Sequence, residues 1–341
     1  MEAAEPWKCS LCEDAHAVDC TSELADRLLQ PRRAVRVCAL KRLCAGKVIP
    51  DNAKKGLLHI LLGDGAGIGG GSDVERLLAY ECLVHVEAEE SAWISGDEAA
   101  ALSKDLAALL EARWAARERY RYGTVSVLTL LSRWTTAGHF DATAAVGLAI
   151  RASWALAEDE GAAEEEAGLS LLGRSGCARL EGGVEGNGAL LAGLFRACAS
   201  GRPSVQSIAL EILAFLCGKD ADVEIDGAAD VASRFAVEEL WLLMADTAVQ
   251  EGSFPTPWHW WVIPVLRDQK APSTSLLDVC GFLSCCAGSA ALVAGKALLC
   301  RDLLDALRSL ATGSSMEEVR EFADATGRRI FKACFPNGPP R

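Results

Sequence analysis

At 341 residues, with half of them apolar, 6% aromatic and a formal net charge of −13, the chain carries too much core material to be a disordered segment. It also exceeds the length at which one compact core stops growing, so two domains or an elongated stack are possible, and the stack fits better. Leu and Ala supply 103 residues against 31 for Val and Ile, which excludes a sheet-dominated fold and predicts helix throughout.

In chain order, residues 1–22 form a short N-terminal segment. Its opening, MEAAEPWK, has neither a charged n-region nor an apolar h-region, so no secretory or transit leader is expected. Cys9, Cys12, His16 and Cys20 follow as C-x2-C-x3-H-x3-C, four soft ligands of the kind that hold tetrahedral zinc. Drawn as one helix, spacings of 3, 4 and 4 line them on one face but spread them along roughly 16 Å of axis, too far to meet at one ion. The adopted reading is an apolar cysteine face capped by Trp7, with no metal; a zinc-binding adaptor is the alternative.

Apolar periodicity predicts helices over 22–45, divided by Pro31 and stopped by Gly46, and then over 51–62, 73–87 and 97–121. Asp51, Asp73 and Asp97 open the last three as expected N-caps. Between two of these runs lies GDGAGIGGGSD, where Gly65, Gly67 and Gly70 satisfy G-x-G-x-x-G and Glu87 stands at a plausible distance for a ribose contact. That fingerprint needs a preceding strand in a parallel sheet, which the surrounding sequence does not offer. A loop between helices is expected over 63–72, with a nucleotide-binding enzyme or factor as the alternative.

Further helices are predicted over 123–137, 141–157, 164–180 and 187–200, with the acidic EDEGAAEEE at 158–166 as a solvated connector and hinge. The series continues over 203–217, 227–250, 258–268, 273–287, 289–312 and 315–334, followed by a tail at 336–341. Val279 to Gly295 is free of charge, but a turn around Gly288 divides it into the end of one helix and the start of the next, so no membrane span is expected. The fourteen cysteines are spread along the chain and several, such as Cys38, Cys217 and Cys280, fall on apolar helix faces. That suits buried thiols in a reducing compartment, the cytoplasm or alternatively the nucleus.

A degenerate repeat runs through the helices, an apolar residue, two spacers, then two small or apolar residues. It reads Val35, Cys38, Ala39; Val74, Leu77, Leu78; Val205, Ile208, Ala209; Leu276, Val279, Cys280; and Val319, Phe322, Ala323. SVQSIALEILAFLCGKDADV at 204–223, RAVRVCALKRLCAGKVIPDN at 33–52 and SLLDVCGFLSCCAGSAALVAGK at 275–296 resemble the central helix and following turn of an armadillo or HEAT repeat. The resemblance implies an all-α fold, a right-handed α-solenoid of stacked helical hairpins over residues 23–335, with a concave groove and a protein-binding role. Many armadillo proteins that clamp extended peptides use a ladder of Asn side chains. Only Asn52, Asn187 and Asn337 are present here, at predicted turns, so no groove residue carries over.

Charge is unevenly placed. Residues 27–55 hold nine basic side chains against Asp51, a local charge of +8 that leaves −21 elsewhere. Such a field can steer an acidic protein surface, and Arg32, Arg33 and Arg36 are its candidate contacts. Nucleic acid is disfavoured as a ligand because the molecule as a whole repels a polyanion. In ARWAARERYRYG, 112–123, arginine stems are expected to lie over aromatic neighbours.

The second candidate contact is FPTPWHWWVIPVLR, 254–267, where Trp258, Trp260 and Trp261 cluster among prolines. His16, His59, His85, His139 and His259 are scattered without a nucleophile signature, and His59 and His85 are read as core histidines. The expectation is a non-catalytic interaction scaffold or a stable subunit of a larger assembly, with other proteins as partners and no cofactor.

Overall fold

The computed structural model describes residues 7–8, 15–16, 21–46, 49–63, 70–85, 94–116, 124–157, 163–180, 188–198, 200, 202–216, 262–268, 270–271, 273–288 and 301–337. Among the described residues there are fourteen helices and one two-stranded ladder. The chain divides into two compact units, Met1–Phe140 and Asp141–Arg341.

The first unit opens with β1 (Trp7–Lys8) and β2 (Ala15–His16), which pair antiparallel with Trp7 opposite His16 and Lys8 opposite Ala15. Six helices follow: α1 (Thr21–Leu28), α2 (Arg33–Gly46), α3 (Asp51–Leu62), α4 (Asp73–Val84), α5 (Gly96–Ala115) and α6 (Thr124–Thr136). α1 packs on α2 and α3, α2 on α4, α3 on α4, and α4 and α5 on α6. Every one of these pairs is one or two places apart along the chain.

The second unit contains α7 (Ala142–Leu156), α8 (Ala163–Cys177), α9 (Gly188–Cys198), α10 (Pro203–Leu216), α11 (Val262–Arg267), α12 (Ser273–Gly288), α13 (Arg301–Gly313) and α14 (Glu317–Cys334). α8, α10, α12 and α14 pack one on the next, with α7 against α8 and α9, and α11 against α13. Of the acidic stretch at 158–166, residues 158–162 lie outside the described residues, and Glu164, Glu165 and Glu166 stand in the first turn of α8. The boundary between the units falls at Phe140 and Asp141.

Local chemistry sets the helix ends. Pro31 separates α1 from α2, as its missing N–H and fixed φ require. Gly63 at φ 71° stops α3 and Gly138 at φ 81° follows α6, where the amides of Gly138 and His139 donate back to the carbonyls of Thr135 and Trp134. The three aspartates expected as caps lie inside the first turn instead. Pro50, Ser72 and Ser95 occupy the cap positions, and the carboxylates of Asp51, Asp73 and Asp97 face the positive end of the helix dipole. Ser95 completes a reciprocal capping box, its hydroxyl accepting from Glu98 N at 3.2 Å while Ser95 N donates to Glu98 Oε2 at 2.8 Å.

The repeated pattern coincides with the packing. Cys38, Ala39, Leu77, Leu78, Val205, Ile208, Ala209, Leu276, Val279, Cys280, Val319 and Ala323 are buried, while Val35, Val74 and Phe322 are half-buried. They sit on α2, α4, α10, α12 and α14, helices that pack in succession within each unit. Leu and Ala dominate the cores, with Tyr80 and Phe282 the largest fully buried side chains. Among the described residues no helix is long and apolar enough to cross a membrane. The helix expected over 227–250, and parts of those over 258–268 and 289–312, lie outside the described residues.

Candidate interaction surface

Two of the three candidate arginines are exposed and the third is committed to the fold. Arg32 is exposed immediately before α2, and Arg33, its first residue, is exposed as well. Arg36, one turn further on, points inward. Its Nε donates to Glu75 Oε1 on α4 at 2.7 Å, and its Nη1 donates to the carbonyls of Gln30 at 2.7 Å and Pro31 at 3.0 Å. One guanidinium thus ties α4 to α2 and closes the bend between α1 and α2.

Glu75 is 1% exposed, and its second oxygen accepts from Ser72 N at 2.8 Å and Ser72 Oγ at 2.7 Å. Burial opposes its ionisation, but the hydrogen bonds from Arg36 and Ser72 outweigh that and hold the carboxyl below its ordinary range. Arg33 Nε reaches only to 4.0 Å from the same carboxylate while remaining 60% exposed, so it adds little to the pair and keeps its charge in solvent.

The polar seam continues along α4. Arg76 bridges Asp73 at 2.8 Å and Asp105 on α5. The buried Tyr80 hydroxyl donates to Asp105 Oδ2 at 2.7 Å with the Leu102 carbonyl 3.0 Å away, and its ring meets Trp134 of α6 edge to face at 6.3 Å. Burial, followed by the neighbouring Asp105, pushes the Tyr80 phenol well above its usual range, so it stays a donor. Sequence reasoning did not single out Glu75 or Tyr80. The pattern Ser72-x-x-Glu75 was the legible signal for a capping carboxylate.

Of the remaining basic segment, Lys54 pairs with Asp51 at 2.6 Å and Lys55 is exposed. Arg113, expected to lay its stem over aromatic neighbours, is buried beside a buried Trp114. Trp258, Trp260 and Trp261 lie outside the described residues; α11 begins directly after them with Val262, Ile263 and Leu266 buried. In the second unit an exposed aromatic that the sequence did not suggest, Trp154, carries the Arg202 guanidinium 5.1 Å over its ring.

The other chemistry proposed from motifs is placed as follows. The glycine cluster joins α3 to α4, so a helix stands where a dinucleotide fingerprint requires a strand. Gly65, Gly67 and Glu87 lie outside the described residues. Gly70 and Gly71 have a packing reason that sequence reasoning missed. A Cβ at Gly70 would stand 2.8 Å from the Ile60 carbonyl oxygen, and one at Gly71 would stand 2.7 Å from Ile60 Cγ2, while Gly71 N donates to Ile60 O at 2.7 Å.

Residues 7–8 and 15–16 form the ladder of β1 and β2 rather than part of a single helix. His16 lies on β2, and Cys9, Cys12 and Cys20 lie outside the described residues. His59, read as a core residue, is exposed on the last turn of α3, and His85 is half-buried at the end of α4. Among the described residues no three His, Cys, Asp or Glu side chains converge on a metal position. A cavity of about 440 Å³ beside α14 is lined by Leu277, Glu318, Glu321, Phe322 and Ala325.

The class these features define is an all-helical protein with near-neighbour helix packing and an exposed basic start to α2. Compared with known protein families, with curated proteins and with solved structures, the chain matches none.

Proposed function

We propose that this protein is a non-catalytic interaction scaffold or a stable subunit of a larger assembly, built as a right-handed armadillo- or HEAT-like α-solenoid and working in the cytoplasm or nucleus. Support for the repeat reading comes from the coincidence of the repeated pattern with helices that pack in succession inside each unit. Such stacks work by presenting surface, and the surface favoured here is the start of α2, which receives an acidic protein partner. The observation that carries this is the division of labour among three arginines: Arg36 is held by Glu75, Gln30 and Pro31, whereas Arg32 and Arg33 remain in solvent within a segment of charge +8. Trp258, Trp260 and Trp261 are retained from the sequence as a second contact.

The test is recovery of partners from native extract by the full chain and by Arg32→Glu/Arg33→Glu. Loss of a partner from the variant, with the wild-type interaction weakening as salt rises, supports the reading. Equal recovery at every ionic strength removes the basic surface from the function.

A second reading, zinc-binding by Cys9, Cys12, His16 and Cys20, gains from the ladder. Antiparallel pairing of Lys8 with Ala15 makes residues 9–14, which include both cysteines of C-x2-C, the connection between two strands. Metal analysis of the purified chain decides it. One zinc per molecule, lost in Cys9→Ser/Cys12→Ser, supports the site, and its absence from the wild-type chain excludes it.

A further inference from the structure

Cys44 on α2 and Cys82 on α4 place their Sγ atoms 3.1 Å apart. The contact is reciprocal. Cys44 Sγ donates toward the Leu78 carbonyl at 3.4 Å, four residues before Cys82, and Cys82 Sγ lies 3.6 Å from the Leu40 carbonyl, four residues before Cys44. Each thiol therefore lies against the backbone turn that carries the other, and the two sulfurs are held across the seam rather than meeting by rotation of a loose side chain. Closing a bond of about 2.05 Å from this distance takes roughly 1 Å of approach.

The two thiols differ in access. Cys82 is fully buried, whereas Cys44 is half-buried on a turn whose next residues, Ala45 and Gly46, are exposed. Of the six free cysteines whose side chains are described, Cys44 alone is not buried. The other five depend on opening of the core before any reagent reaches them.

We propose that Cys44 and Cys82 are an oxidative modification site, a dithiol that a hydroperoxide converts to a disulfide stapling α2 to α4. The Cys44 sulfur attacks hydrogen peroxide, and the O–O bond breaks. One oxygen remains on Cys44 as a sulfenic acid and the other leaves as water, taking up the thiol proton. The Cys82 sulfur then attacks Cys44 Sγ, the S–S bond forms, the S–O bond breaks, and a second water leaves with the Cys82 proton. Two thiols and one peroxide give one disulfide and two waters, the sulfurs losing the two electrons that the peroxide gains. The hydrogen bond with Cys44 and burial raise the Cys82 thiol well above its ordinary range, so Cys82 resolves the sulfenic acid rather than starting the reaction.

Wild-type full-length protein is treated with hydrogen peroxide, alkylated in denaturant, digested and analysed by mass spectrometry. The expected result is joint loss of alkylation at Cys44 and Cys82 with a matching gain of the Cys44–Cys82 linked peptide, reversed by dithiothreitol. In Cys82→Ser, dimedone labels Cys44 as a trapped sulfenic acid. Recovery of Cys44 as sulfinic or sulfonic acid beside a reduced Cys82, or of either cysteine linked mainly to a different one, overturns the proposal. The first arm uses the unaltered chain, so the outcome does not depend on whether a variant folds.

Discussion

Arg36 and Glu75 face each other across the α2–α4 seam, Nε to Oε1 at 2.7 Å, with the carboxylate 1% exposed and both its oxygens hydrogen-bonded. Removing the arginine leaves a buried negative charge whose remaining donors all come from Ser72. Arg36→Ala is therefore expected to lower the unfolding free energy by about 3–5 kcal/mol. Arg33→Ala, 4.0 Å away and largely in solvent, should change it by less than about 1 kcal/mol. Urea denaturation of the two variants separates them, and equal effects would mean that Arg36 is as solvated as Arg33.

The same carboxylate gives the stability a pH dependence of known sign. Glu75 is held below its ordinary value of 4.5 by Arg36 and Ser72 in spite of burial, so its unfolded form binds protons more readily than its folded form. Its contribution is complete above about pH 4.5 and is lost as pH falls through the lower folded value. Between pH 6 and pH 3 the wild-type stability should fall more steeply than that of Glu75→Gln. Parallel curves from the two proteins would exclude Glu75 as a source of the dependence.

Two helical glycines predict opposite outcomes from one substitution. A Cβ at Gly176 on α8 would stand 2.8 Å from the Ala142 carbonyl oxygen and from Val146 Cγ2, both on α7, and backbone cannot yield cheaply. Gly176→Ala is expected to cost about 1–3 kcal/mol. At Gly147 on α7 an added Cβ meets nothing within 4 Å, so Gly147→Ala should stabilise by about 0.5–1 kcal/mol. Thermal unfolding of the pair provides the measurement, with the midpoint falling for the first and rising for the second.

Helix capping offers a further check. Ser95 and Glu98 exchange hydrogen bonds at the start of α5, and Asp141 Oδ2 accepts from Ala144 N at 2.7 Å at the start of α7. Ser95→Ala and Asp141→Ala should each cost about 1 kcal/mol. By contrast, Asp97→Ala, one residue inside α5, should cost a few tenths, the worth of an exposed charge near a helix dipole. A larger loss at Asp97 than at Ser95 would reverse the assignment of the cap.

The helices were legible because Leu and Ala recur at helical spacing and Pro31 and Gly46 mark the ends of α1 and α2. The burial of Cys38, Leu77, Ile208, Val279 and Ala323 could likewise be read from the repeated pattern. Side-chain commitments could not. Arg32, Arg33 and Arg36 look alike as charges in a basic run, and only packing against α4 turns the last of them inward. Placing Asp51, Asp73 and Asp97 at the caps failed because serine or proline one or two places earlier takes that position and the carboxylate is served as well by the first turn. His59 followed an apolar run yet faces solvent, because periodicity marks a face only to within a residue or so. The Cys44–Cys82 contact joins residues 38 apart and depends on how α2 and α4 cross, which no local pattern encodes.

In the first unit, each closely packed helix pair is separated by at most one intervening helix. A segment leaving the ribosome thus finds its neighbours already made, and each apolar face waits for only one or two further helices before water is expelled from it. That unit can therefore assemble as it is synthesised, with little apolar surface left open between one helix and the next.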